Sequence, residues 1–119
     1  MASDQGADVP IRHAATIIVL RDAATQPKVL MGQRGKTAAF MPSKFVFPGG
    51  AVDGVDADIP LARPLHPRSH KRLASESALA PEALIAAATR ELWEETGLLL
   101  GLADETAAAL DAPKGWRGF

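Results

Sequence analysis

Arg90-Glu91-Leu92-Trp93-Glu94-Glu95-Thr96-Gly97-Leu98 is the stretch on which the reading of this sequence turns. Glu91, Glu94 and Glu95 are spaced i, i+3 and i+4. On a helix advancing about 100° per residue they fall within an arc of about 100°. Like charges so close repel, and a helix keeps them most readily when a cation neutralises them. Carboxylate oxygens suit hard cations, Mg2+ or Mn2+. Ile85, Ala88 and Leu92 form an apolar stripe on the opposite side, suited to packing on a sheet. Pro81 fits a first helical turn, where its missing N–H would be unpaired anyway, and Gly97 fits the left-handed position after a last turn. These signals predict a helix over residues 82–96. Taken alone, three acids on one face fit a solvated surface better than a metal site. The flanking residues change that balance.

Working upstream, residues 14–20 are a short β-branched apolar run and read as a buried strand. Residues 28–33 read as a second strand, hairpin-paired with the first across a polar turn. Residues 35–44 read as a loop, and Phe45-Val46-Phe47 as a short strand stopped by Pro48-Gly49-Gly50. Residues 53–72 lack a period and contain Pro60, Pro64 and Pro67, which predicts a surface insertion. Within it Asp53, Asp56 and Asp58 lack calcium-loop spacing and read as turn residues. The basic run at 66–72 reads as a solvated loop, and residues 73–79 as the possible start of a helix. Downstream, residues 98–102 read as a short strand or the link into one, 104–110 as a short helix and 113–119 as irregular. Trp93 points away from the carboxylates and reads as packing.

Composition narrows the class. The 119 residues suit one domain, preceded by a flexible tail at 1–12. Hydrophobic residues make up 47% of the chain, yet 23 of them are alanine, so the core is thin. Net charge is −1, which does not indicate a nucleic-acid polymer or an anionic membrane as partner. There are no cysteines, which excludes disulfides, thiolate metal sites and a cysteine nucleophile. No apolar run reaches membrane-span length, and residues 1–10 carry no apolar signal core. The expectation is a soluble, cytoplasmic protein.

The pattern Arg-Glu-x-x-Glu-Glu-x-Gly followed by Leu98 resembles the second half of the Nudix box, Gly-x5-Glu-x7-Arg-Glu-U-x-Glu-Glu-x-Gly-U, where U is a bulky aliphatic residue. Leu92 and Leu98 fill both U positions, and Glu82 precedes Arg90 at the x7 spacing. The first half departs from the pattern: 31 residues separate Gly50 from Glu82 where the box has five. An expanded box loop, an insertion at about 53–76, accounts for the difference, because loop closure cost rises only logarithmically with length. The Phe-Pro-Gly-Gly-x-Val-Asp start with a long insertion is similar to a bacterial subfamily related to coenzyme A diphosphatases.

The resemblance covers roughly residues 12–102 and implies an α/β (α+β) fold, a Nudix-type α/β/α sandwich with a mixed sheet. It implies Glu91, Glu94 and Glu95 as ligands of Mg2+ or Mn2+, with Glu91, Glu94 and Arg90 in the catalytic set and Glu82 supporting the site through Arg90. Gly49 and Gly50 would let the backbone turn beside the ligands, and Arg34 would bind a substrate phosphate. Glu94 is one candidate for the general base; in many members that base sits later in the fold. The implied activity is metal-dependent hydrolysis of a pyrophosphate bond in a nucleoside diphosphate linked to another group. Coenzyme A or its esters come first, and ADP-ribose or a dinucleotide second. Few residues follow 102, so residues 13–119 read as the N-terminal portion of a Nudix domain, incomplete at its C-terminus and prone to self-association. The alternative is a non-catalytic fragment or binding module.

Overall fold

The computed structural model describes residues 10–38 and 42–101. Strand β1 (Ala14–Thr16) and the short strand β2 (Leu20–Arg21) share the first apolar run. Strands β3 (Lys28–Val29) and β4 (Gly32–Gln33) share the second, and β5 (Phe45–Val46) is followed at once by β6 (Gly49–Ala51). Among the described residues the strands pair in three antiparallel ladders: β1 with β6, β2 with β3, and β4 with β5. The β2–β3 pairing, with Leu20 opposite Val29, is the expected hairpin.

The first run is not one buried strand. Its front half pairs with β6 and its back half with β3, so the chain changes partner between Ile17 and Val19. Ala15 is buried under the helix layer, whereas Ile18 and Leu20 are 58% and 55% exposed. The glycines also depart from expectation. Gly49 and Gly50 do not stop a strand but form one, in register with Thr16 and Ala15. Bare Cα atoms make this possible: a side chain at Gly49 would run into the Ala15 carbonyl oxygen and the Thr16 backbone.

Beyond β6 the chain enters a 3-10 helix, Gly54–Asp58, then helix α1 (Pro67–Ala74) and helix α2 (Pro81–Thr96). Helix α1 corrects the sequence reading, which placed a loop at 66–72 and a helix start at 73–79. His66 caps it by accepting the Arg68 N–H at 3.2 Å, and Pro67 occupies its first turn. It ends because Ser75 turns extended and Glu76 takes a positive φ of 58°. None of its residues is buried. Helix α2 matches the predicted span within one residue. Gly97 closes it at φ 76°, donating its N–H to the Trp93 carbonyl at 2.8 Å.

Helix α2 lies across β1, β6 and the 3-10 helix. Ala83, Ala86, Ala87, Ala88 and Leu92 are buried on it, and Ala87 and Ala88 join Ala15 in a cluster edged by Ile17, Val52 and Leu84. Alanines give little transfer energy, but they let the helix backbone come close to the sheet. Among the described residues the arrangement is a mixed α/β fold of small sheets and two α-helices. Residues 98–101, read as part of a short strand or the link into one, form no strand, and Leu98, Leu99 and Leu100 are exposed. The expected tail at 1–9 and the expected elements at 104–110 and 113–119 lie outside the described residues. Among the described residues no helix is long and apolar enough to cross a membrane.

Candidate active site

The site is built around Arg90, which is 2% exposed although it carries a full charge. A buried guanidinium must be paired and hydrogen-bonded. Its Nε and Nη2 donate to the two oxygens of Asp56 at 2.9 and 3.0 Å, a bidentate pair, and Nη2 also donates to the Ala51 carbonyl at 3.0 Å. Asp53 adds a carboxylate 3.6 Å from Nη2. Nη1 donates to Glu91 Oε1 and to Glu94 Oε2, both at 3.1 Å. The hydrogen bond with Asp56 holds the Arg90 pKa above its ordinary value, so the group stays charged.

Glu91 and Glu94 therefore meet on one guanidinium nitrogen, and their bonded oxygens are no more than twice 3.1 Å apart. Burial pushes the Glu91 carboxyl above its ordinary value; Arg90 pulls it down, and Glu94 and Glu95 add to the rise. Gly50 faces this residue. A Cβ there would sit 2.5–2.7 Å from the Glu91 carboxylate, so the bare glycine leaves the space that the carboxylate occupies. Glu95 lies beside these groups on a groove of about 390 Å³, which it lines with Thr96, Gly49, Pro48, Arg34 and Gln33. Three residues selected from sequence, Arg34, Gly49 and Glu95, thus share one groove.

Glu82 does not join the site. It stands in the first turn of α2, two helical turns from Arg90, and pairs with His70 of α1 at 3.1 Å. Its expected role at Arg90 belongs to Asp56, which the sequence reading set aside as a turn residue. The signal was present: Asp56 follows Gly50 after five residues, the spacing of the first half of the box, with aspartate in place of glutamate. On this register the extra length falls after Asp56 and contains α1.

All donors here are oxygens, which suits a hard divalent cation. Among the described residues no three carboxylate or imidazole groups converge on one point; Glu91 and Glu94 are engaged by Arg90, and Glu95 faces the groove. The donor chemistry suits such an ion, and the space opposite Gly50 is filled by the Glu91 carboxylate itself.

The chain is similar to proteins of one family throughout. A Caenorhabditis elegans protein named as a candidate nudix hydrolase 7 is 41% identical over 88 residues, 74% of this chain and 22% of that protein. The crystal structure of a NUDIX hydrolase from Alicyclobacillus acidocaldarius shares 36% identity and a TM-score of 0.60, covering 89% of this chain and 46% of that one. This chain therefore spans less than half the length of either relative. The NUDIX domain model matches residues 11–113, from before β1 to beyond the acidic helix, and the chain belongs to the NUDIX domain family.

Proposed function

We propose that the chain forms the part of a Nudix hydrolase that binds a divalent cation and cleaves a pyrophosphate bond in a nucleoside diphosphate derivative. The observation that carries this reading is the buried Arg90, which gathers Glu91 and Glu94 on the helix whose Glu95 lines a groove with Arg34. Family membership supports it, and Nudix hydrolases generally use divalent ions such as Mg2+.

Glu91, Glu94 and Glu95 would hold the ion. When bound, it supplies neutralisation of charge on the pyrophosphate oxygens and a lowered pKa for an attacking water. Arg90 fixes the rotamers of Glu91 and Glu94, so that neither has to be ordered when substrate arrives. Gly50 leaves room for the Glu91 carboxylate. Arg34, at the groove wall, offers a planar fork to a substrate phosphate. Glu94, the more exposed of the two glutamates on Arg90, is the candidate to accept a proton from water.

A nucleotide-type substrate is the reading that family membership supports. Coenzyme A or its esters stand first, on the Phe-Pro-Gly-Gly start of the box and its inserted loop, and ADP-ribose or a dinucleotide second. Incubation of the chain with such a panel and Mg2+, followed by product mapping, tests this. Cleavage of coenzyme A to 3′,5′-ADP and phosphopantetheine supports the first choice. Turnover of ADP-ribose alone rejects it. No turnover of any member, with Mg2+ still bound, would favour a binding module over an enzyme.

A further inference from the structure

We infer that Lys44 is a second phosphate-binding residue of the groove, paired with Arg34 as a two-cation clamp on one phosphoryl group of the substrate. The inference rests on the reading of that groove as the place where a phosphate-bearing substrate lies.

The strand register brings the two cations together. In the β4–β5 ladder Gly32 stands opposite Val46 and Gln33 opposite Phe45. One step further the Arg34 N–H donates to the Lys44 carbonyl at 2.9 Å, so the register runs on and sets Arg34 opposite Lys44. Residues opposed in this way have Cα atoms about 5.5 Å apart and side chains on the same face. Alternation groups Gly32 and Arg34 of one strand with Lys44 and Val46 of the other. Gly32, Arg34 and Val46 all line the groove, so this is the groove face. The turn that returns the chain is fixed at Ser43, whose φ is 61°. Its N–H donates to the Gly35 carbonyl at 3.3 Å, and its carbonyl accepts Gln33 Nε2 at 3.2 Å.

Charge then decides what the pair is for. Like charges directly opposite each other on one face of an antiparallel ladder destabilise it. Nothing along these strands offsets the two: residues 23–52 contain Lys28, Arg34, Lys36 and Lys44 and no acid. Lys44 is exposed and forms no ion pair among the described residues. An anion lodged between the two side chains removes the repulsion. Phosphate oxygens suit both the planar fork of arginine and the ammonium of lysine. Glu95 lines the same groove, so a substrate whose metal ion rests on Glu95 turns a phosphoryl group toward Arg34 and Lys44. A phosphoryl of the pyrophosphate and an additional phosphomonoester offer the same oxygens to the clamp.

The test begins without metal and without reaction. Inorganic pyrophosphate is titrated by calorimetry, in the absence of divalent ions, into wild type, Lys44→Gln, Lys44→Arg, Arg34→Gln and the double variant Lys44→Gln with Arg34→Gln. Lys44→Gln should lose about 10-fold in affinity, the worth of one charge-assisted hydrogen bond, and Lys44→Arg should keep it. The double variant should lose less than the product of the two single losses, because one anion contacts both side chains. Without any anion Lys44→Gln should melt at or above the wild-type temperature, since it relieves the repulsion, and pyrophosphate should raise its Tm less than that of wild type. Unchanged affinity in Lys44→Gln, or single losses that simply multiply, would overturn the inference, as would a wild type that binds no pyrophosphate. KM values for coenzyme A and its 3′-dephospho form with Mg2+ then name the group. A rise in Lys44→Gln for coenzyme A alone assigns the clamp to a phosphomonoester, and a rise for both assigns it to the pyrophosphate. Turnover with KM unchanged for both counts against the clamp. If wild type turns over neither compound, the coenzyme A reading fails and the pyrophosphate titration still judges the clamp.

Discussion

A methyl group on Gly50 and one on Gly49 would meet different obstacles, and the difference separates function from fold. At Gly50 the neighbour is the flexible end of Glu91, which can swing aside. Gly50→Ala should therefore fold with a Tm near wild type yet lose most Mg2+ binding or turnover, because Glu91 leaves Arg90. At Gly49 the neighbours are the Ala15 carbonyl and the Thr16 backbone, which cannot move without breaking the β1–β6 ladder. Gly49→Ala should cost stability, on the order of 1–3 kcal/mol as for other overpacked sites. Thermal melts alongside a metal titration check both, and a Gly50→Ala protein with normal metal affinity would show that Glu91 is not a ligand. Glu91 itself gives a pH prediction. Its folded pKa is raised from 4.5, first by burial. A raised carboxyl binds its proton more tightly in the folded state, so its stabilising contribution is present at low pH and is lost as pH rises through the folded pKa. At pH 7.5 without divalent ions, Glu91→Gln should melt at or above the wild-type temperature, and the gain should shrink as pH falls toward 4.5. A clearly lower Tm at pH 7.5 would mean that the Arg90 contact outweighs burial.

Helix α2 shows how unevenly a sequence discloses its elements. The 3.6-residue period, Pro81 and Gly97 each state a local preference that the folded chain keeps, so the helix and its acidic face were legible. The carboxylate partner of Arg90 was not, because Asp56 is 34 residues away and its role depends on a tertiary contact. Periodicity cannot express such a contact, and only the five-residue gap from Gly50 hinted at it. Helix α1 was missed for a related reason. Its His66 cap is an unusual one, and its short, charged surface buries no residue. The same contrast yields a prediction about Glu82. It forms only a half-exposed pair with His70 at 3.1 Å. Pairs of this kind are worth about 0.2–1 kcal/mol. Glu82→Gln should leave turnover and Mg2+ affinity within about twofold of wild type and change stability by less than about 1 kcal/mol. Glu94→Gln, which removes a negative charge from the same helix beside Arg90, should abolish most turnover. A matched loss in both variants would return Glu82 to the site.

On the scale of the molecule, the thin core read from 23 alanines is borne out: Leu92 is the one fully buried large apolar side chain among the described residues. Much of the apolar surface is instead turned outward. Leu20 and Val29 stand opposite each other in the β2–β3 ladder and both are exposed, as are Ile18 and Phe45, the latter at 67%. Exposed apolar surface carries a free-energy cost of about 25 cal/mol per Å², and a strand of two or three residues leaves unpaired N–H and C=O groups at its edges. Both can be covered by another chain. The expectation is that this chain self-associates at micromolar concentration, with association that strengthens on modest warming, as apolar burial does. Sedimentation velocity over a concentration series measures it. Phe45→Lys and Ile18→Lys remove apolar contact at sites already open to solvent, so they should shift the distribution toward monomer without lowering the unfolding temperature. Monomeric wild type across the whole series, with no change in either variant, would mean that these side chains have no partner in solution and that the small sheets are stable with this face in water.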